Sequence, residues 1–119
     1  MKYVNSYILA VPENRKDDYV RIAHQFAEIA KDFGALEIFE NWEREIPDGE
    51  HTDYRKAVQA EPGEKIVLAW IVWPDRQTAA IAHEGMFTDP RMAEIGHMPF
   101  DGKRMILGGF EPILEFHKG

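Results

Sequence analysis

Residues 66–73 form the longest uninterrupted apolar run of the chain, and they constrain its fold more than any other segment. Alternate side chains of a strand point to opposite faces of its sheet, so a strand that is apolar on both faces must be covered on both. The run is far too short to cross a bilayer. It therefore predicts a central strand in a globular protein, and we expect no membrane segment.

Periodicity elsewhere in the sequence predicts three more strands and two helices. Strands are expected over residues 3–11, 35–46 and 104–116, where β-branched and aromatic residues are frequent. In the second of these strands, one face carries Leu36, Ile38, Glu40 and Trp42, and Phe39 falls on the other face among charged and polar neighbours.

The first predicted helix follows Pro12 and ends near Gly34, which suits the end of a helix. Its apolar residues recur at spacings of three and four, as expected for one buried stripe. The second predicted helix covers residues 76–86 and is capped by Asp75. The side chains expected against the sheet are Ala79, Ala80 and Ala82, with Ile81 as a further candidate.

The resulting order, β-α-β-β-α-β, is that of an α+β ferredoxin-like fold, in which the first and third strands lie centrally. Both helices cover one face of such a sheet, and a single chain offers nothing to cover the other. A homodimer that packs sheet against sheet would supply the cover, with a two-fold interface. We therefore expect a homodimer.

Composition narrows the class of protein further. Of the 119 residues, 45% are hydrophobic, which suits one domain over residues 1–119 with a core of its own. The chain has no cysteine, and its N-terminal residues lack the apolar core of a signal peptide, so we expect a cytoplasmic protein. The net charge of −7 and the dispersed basic residues disfavour nucleic-acid binding.

Familiar catalytic and cofactor motifs are missing. His83-Glu84 begins like a metalloprotease helix, but Phe87 stands where the second histidine would be. Ser6 is the only serine, and no glycine elbow surrounds it. The pair Gly108-Gly109 lacks the other residues of a nucleotide-binding loop and is better suited to a strand bend or a close backbone approach. We expect neither a metal nor another cofactor, and no catalytic residue is identified.

A ligand pocket is the more promising kind of site, because aromatic and methionine side chains with a few polar groups can hold a small molecule. The candidate ligand-binding residues are Trp42, Asp53, Arg55, Trp70, His83, Arg91, Phe100, Asp101 and Arg104. Simpler roles remain open: tryptophans in strands are more often core residues, Asp101 suits a turn, and Arg91 and Arg104 suit structural ion pairs.

Several segments resemble one family. They are the turn at residues 47–49 after Trp42, residues 52–58 (Thr-Asp-Tyr-Arg-Lys-Ala-Val), 70–74 (Trp-Ile-Val-Trp-Pro), 89–92 (Asp-Pro-Arg-Met) and 98–106 (Met-Pro-Phe-Asp-Gly-Lys-Arg-Met-Ile), with Gly-Gly-Phe at 108–110. The chain is similar to the YbaA-like family of small, uncharacterised bacterial proteins over nearly its whole length. The resemblance implies a dimeric α+β barrel, a fold also used by cofactor-free monooxygenases and small-molecule isomerases, and it supplies no catalytic residues.

Two functions follow as hypotheses. The first is a small-molecule-binding protein or cofactor-free enzyme with a cleft between sheet and helices, in which His83 or Asp53 moves a proton and Arg104 holds an anion. The alternative is a non-catalytic interaction or regulatory module that contacts a protein through residues 98–103. The alternative predicts solid packing with no cavity.

Overall fold

The computed structural model describes residues 1–119 and arranges them in four strands and four α-helices. In chain order the elements are β1 (Tyr3–Pro12), α1 (Lys16–Asp32), β2 (Glu37–Trp42), α2 (Tyr54–Ala57), β3 (Glu64–Trp73), α3 (Arg76–Phe87), α4 (Pro90–Ile95) and β4 (Ile106–Phe110). Short 3-10 turns precede α1 and β4, at Glu13–Arg15 and Gly102–Arg104. No helix is both long and apolar enough to span a membrane.

The strands form one antiparallel sheet in the order β2-β3-β1-β4. β1 and β3 are the central pair, in register from Tyr3 opposite Trp73 to Pro12 opposite Glu64. Leaving aside the short helices α2 and α4, the order of elements is the predicted β-α-β-β-α-β. The ferredoxin-like α+β fold with central first and third strands is therefore confirmed.

The helices α1 and α3 pack on one face of the sheet. α1 buries Tyr19, Ile22, Ile29 and Ala30, which recur at helical spacing. It is followed by Gly34, whose φ of +106° lies in the left-handed region that favours glycine.

Asp75 caps α3 as predicted, since its side chain accepts a hydrogen bond from the backbone N–H of Thr78 at 2.7 Å. Ala79 and Ala82 are buried under this helix, together with Met86. The expectation that Ala80 and Ile81 also face the sheet is wrong, because the turn of the helix points both side chains outward, and both are exposed.

Two strands are shorter than predicted. β2 ends at Trp42 instead of residue 46, and the next side chain, Glu43, accepts a hydrogen bond from the backbone N–H of Ile66 at 2.9 Å. β4 ends at Phe110 instead of residue 116. Its partner β1 begins at Tyr3, so no strand lies beyond that point to pair with, and Pro112 has no N–H to donate.

The second face of the sheet is partly covered by the chain itself. Residues 43–63, between β2 and β3, fold under it, and Ile46, Val58 and Ala60 pack against the buried Ala10 and Ile66. The expectation that a single chain leaves this whole face uncovered is therefore wrong at one end.

The remainder of that face, here called the open face, carries Val4, Leu68 and Val72 together with a stacked pair of rings, Phe39 and Trp70. The centroids of the two rings are 4.8 Å apart and their planes differ by 22°.

Candidate functional site

A two-lobed cleft lies between α1 and the helix-facing side of the sheet. The first lobe, of about 300 Å³, lies between α1 and β2, so we call it the β2 lobe. The second lobe, of about 180 Å³, reaches β1 and the loop before β4, and we call it the β1 lobe. Tyr19, Ala23 and Glu40 line both lobes and therefore form the wall between them.

The sequence of α1 explains why a gap exists here. Ala23 and Ala27 are one helical turn apart and both face the β2 lobe, opposite Ile38 and Trp42 of β2. The small alanine side chains do not fill the space between helix and strand. The bulkier Ile29 of the same helix is buried in the neighbouring core.

Glu40 is the only carboxylate that lines the cleft, and it is held by a tyrosine. The hydroxyl of Tyr19 donates a hydrogen bond to Oε1 of Glu40 at 2.6 Å. The second oxygen, Oε2, accepts no hydrogen bond from the protein, and the hydroxyl of Tyr7 in the β1 lobe has no protein partner either. The β1 lobe thus offers one acceptor and one donor to a ligand.

The pKa values of these groups follow from their surroundings. Glu40 remains exposed to solvent, but partial desolvation by the walls of the cleft raises its pKa, and the hydrogen bond from Tyr19 only partly opposes that effect. Burial, and then the charge of Glu40, raise the pKa of Tyr7 and of Tyr19 above the usual tyrosine value. Both hydroxyls therefore stay protonated at neutral pH and act as donors.

Aromatic side chains frame the two lobes. Phe100 stands edge-on to Tyr19, with ring centroids 6.2 Å apart, and lines the β1 lobe beside Met98 and Met105. At the β2 lobe, the ammonium group of Lys16 lies 5.2 Å from the centroid of the Trp42 ring, in a cation–π contact.

The loop that delivers Phe100 is held by Asp101. Its carboxylate accepts hydrogen bonds from the backbone N–H of Lys103 at 2.9 Å and from Nε of Arg104 at 3.1 Å. These bonds lower the pKa of Asp101. Asp101 thus organises its own turn, which is the simpler of the two roles considered for it.

Arg104 is fully engaged in the structure. Its guanidinium forms a bidentate salt bridge with the carboxylate of Glu64, with N–O distances of 2.7 and 2.8 Å. It also donates a hydrogen bond to the carbonyl oxygen of Gln59 at 2.9 Å. Arg104 holds the pKa of Glu64 below its usual value. The pair ties the loop before β4 to the start of β3 and does not face the cleft.

Asp53 and Arg55 lie in the connection between β2 and β3. Asp53 caps α2 and accepts hydrogen bonds from the backbone N–H groups of Lys56 and Gly49, at 2.7 and 2.9 Å. Arg55 pairs with Glu43 and donates to the carbonyl oxygen of Glu64 at 3.1 Å. Neither side chain lines the cleft.

The three remaining candidates are also elsewhere. Arg91 bridges Asp89 and Asp32, which joins α4 to the end of α1. His83 is exposed on α3, edge-on to the buried Trp73. Trp70 lies on the open face, where its Nε1 donates to Glu37 at 3.0 Å.

Of the nine residues selected from the sequence, the structure therefore brings Trp42 and Phe100 to the cleft and leaves the other seven outside it. Sequence reasoning did not select Tyr7, Tyr19 or Glu40. One signal was present: Glu40 is the single charged residue on the apolar face of its strand, between Ile38 and Trp42.

The four-stranded antiparallel sheet with α1 and α3 on one face defines a ferredoxin-like α+β fold. The chain belongs to the family described as "Protein of unknown function (DUF1428)", whose sequence profile matches residues 2–102. It is 49% identical over 116 residues to the protein "Uncharacterized protein YbaA" of Escherichia coli, covering 97% of this chain and 99% of that one. The YbaA protein of Shigella flexneri is equally similar.

Solved structures show the same fold at low sequence identity. A dimeric ferredoxin-like protein from Jannaschia sp. gives a TM-score of 0.58 at 13% identity, covering 92% of this chain and 99% of that chain. SnoaB, a cofactor-independent oxygenase from Streptomyces nogalater, gives 0.52 at 16% identity, covering 98% of both chains. At these identities the likeness is one of fold alone.

Proposed function

We propose that this protein binds a small, mostly apolar molecule in the cleft between α1 and the sheet. The observation that carries the proposal is the two-lobed cleft itself, walled mostly by apolar side chains, with Glu40 and the free hydroxyl of Tyr7 in the β1 lobe and with His24 and Asn41 in the β2 lobe. Ligand sites in proteins have this composition, and their volumes begin at about 300 Å³. The alternative function, a protein-interaction module, predicts solid packing with no cavity. The cleft therefore favours ligand binding over that alternative.

The similarity in fold to solved structures supports ligand binding but does not identify a reaction. The oxygenase SnoaB has a similar chain fold, so a fold of this kind accommodates small-molecule chemistry. The groups that would carry out a reaction differ between proteins of one fold, and the proposal is therefore restricted to binding.

The binding proposal can be tested by filling the cleft. We expect uncharged two-ring aromatic fragments to raise the unfolding temperature of the wild-type protein, by about 5 °C at a ligand concentration of about ten times Kd. Ala27→Phe places a large ring in the β2 lobe and should abolish the shift. Ala80→Phe makes the same change on the exposed face of α3 and should leave it intact. A panel that produces no shift in the wild-type protein would refute the proposal.

We also propose that two copies pack through the open face, in the cytoplasm, without a nucleic-acid partner. The dimeric Jannaschia protein supports this assembly, and so does the stacked pair Phe39 and Trp70, which lies at the surface of a single chain. The lack of cysteine suits a reducing compartment, and the net charge of −7 opposes binding to phosphate backbones.

Sedimentation tests the dimer. The wild-type protein and Ile81→Glu, an exposed position on α3, should sediment as dimers at micromolar concentration. Trp70→Glu should sediment as a monomer, because it places a charge inside the proposed apolar interface. A stable wild-type monomer at that concentration contradicts the assembly.

A further inference from the structure

The walls of the cleft carry a negatively charged side chain and no lysine or arginine. No lysine or arginine lines either lobe, and the ionisable groups in the walls are Glu40, Tyr7, Tyr19 and His24. His24 is exposed, on the outer part of the β2 lobe. A ligand inside the cleft therefore meets one carboxylate and no permanent positive charge.

The nearby cations are occupied elsewhere. Arg104, which the sequence suggested as an anion holder, is fixed by Glu64 and Asp101. The ammonium group of Lys16 lies over the Trp42 ring at the edge of the β2 lobe and does not line either lobe. An anionic ligand in the β1 lobe would lose its hydration without gaining a partner of opposite charge.

The wall between the lobes offers a specific polar contact instead. Tyr19 occupies Oε1 of Glu40, which fixes the position of the carboxylate and leaves Oε2 to accept a hydrogen bond from a ligand. The Tyr7 hydroxyl lines the same lobe and can donate to the oxygen of that ligand group. A hydroxyl both donates and accepts, so it satisfies the two groups at once.

Building on the proposed function, we infer that the cleft selects uncharged aromatic alcohols and excludes carboxylates of the same shape. Glu40 is the residue that determines this preference, through a hydrogen bond to the hydroxyl and repulsion of the carboxylate. Tyr19 is a positioning residue that holds Glu40. Met98, Met105 and Phe100 of the β1 lobe contact the rings of the ligand.

Paired probes test the inference. 2-Naphthol and 2-naphthoate share a two-ring frame and differ in charge at neutral pH. We expect the full-length protein to bind 2-naphthol at least tenfold more tightly than 2-naphthoate, measured by calorimetric titration. In Glu40→Gln the preference should fall to nearly one, because the amide does not repel the carboxylate and is the weaker acceptor.

A matched control and a second variant of the site complete the test. Glu37→Gln makes the same change on the opposite face of β2, and it should leave the tenfold preference unchanged. Tyr7→Phe removes the free hydroxyl; it should weaken 2-naphthol several-fold and lower the preference by the same factor without abolishing it, because Glu40 still repels the carboxylate of 2-naphthoate. Tyr7→Phe also provides a reading of the site if Glu40→Gln fails to fold.

The outcomes separate the two proposals. If neither probe binds to any of the variants or to the wild-type protein, ligand binding fails and the inference fails with it. If both probes bind the wild-type protein equally, or if Glu40→Gln keeps the preference, ligand binding stands and the role of Glu40 is overturned.

Discussion

Replacing Arg104 by methionine should destabilise the protein strongly, because it removes the partner of a buried carboxylate. Arg104 makes two hydrogen bonds to Glu64 and one to the carbonyl oxygen of Gln59. The side chains of Arg104 and Glu64 are only 16% and 9% exposed. The change to methionine keeps most of the apolar stem and removes the charge.

The expected loss in the free energy of unfolding lies between two limits. A solvent-exposed ion pair contributes up to about 1 kcal/mol, and stranding one charge of a fully buried pair costs about 3–5 kcal/mol. The pair is largely but not fully buried, so we expect a loss of about 2–3 kcal/mol. For 119 residues the unfolding entropy is about 250 cal/mol/K, so the loss equals about 8–12 °C in Tm.

The pH dependence of the stability provides a second, independent test of the Arg104–Glu64 pair. Because Arg104 lowers the pKa of Glu64 in the folded state, the pair stabilises the protein above the unfolded pKa of about 4.3. That contribution is lost as the pH falls through the lower, folded pKa. The stability difference between wild-type protein and Arg104→Met should therefore narrow in acid.

Urea unfolding at several pH values measures both effects. Lys103→Met is the matched control, since Lys103 is exposed and makes no ion pair, and it should change stability by less than about 0.5 kcal/mol. Adding Glu64→Gln to Arg104→Met should recover part of the loss by removing the stranded charge. A loss below about 1 kcal/mol, or one that does not vary with pH, would refute the reasoning.

Three further predictions concern other parts of the fold. Asn5→Leu should cost about 1–3 kcal/mol in chemical unfolding, because Asn5 Oδ1 accepts the 2.7 Å hydrogen bond from Nε1 of the buried Trp73; an unchanged midpoint would contradict this. Gly109→Ala should cost about 1–3 kcal/mol, since its Cβ would fall 1.8 Å from the Tyr3 hydroxyl; a wild-type Tm would show that the ring moves aside freely. Glu40→Gln should stabilise the protein more at about pH 7 than at about pH 4, because a raised folded pKa makes wild-type stability fall as the pH rises; the opposite trend in urea unfolding would exclude a raised pKa for this carboxylate.

The fold was predictable because its main determinants are local and periodic. Residues 66–73 are apolar on both faces, which places their strand centrally, and the three- and four-residue spacing of α1 identifies its buried stripe. The ends of the strands were less predictable. They depend on whether a partner strand continues, as β1 does not beyond Tyr3, and on local bonds such as that from Ile66 to Glu43.

The candidate site depends on contacts between distant residues, which one sequence does not reveal. Tyr19 and Glu40 belong to different elements, and their hydrogen bond exists only once α1 lies across β2. The cleft between them follows from the small side chains of Ala23 and Ala27, which look like ordinary helix residues in the sequence. Arg104 illustrates the reverse case, because its loop position suggested ligand binding, whereas Glu64 and Gln59 occupy it.

The position of β2 at the edge of the sheet has a consequence for how such proteins diversify. Glu40 and Trp42 project from a strand that is hydrogen-bonded on one side only, to β3, while the central pairing of β1 with β3 lies elsewhere. Substitutions on the helix-facing side of β2 alter the wall of the cleft without disturbing that central ladder. For the ligand-binding function proposed above, single substitutions on β2 should therefore change the ligand preference while the fold is kept, and laboratory selection for a new ligand should accumulate its changes on β2.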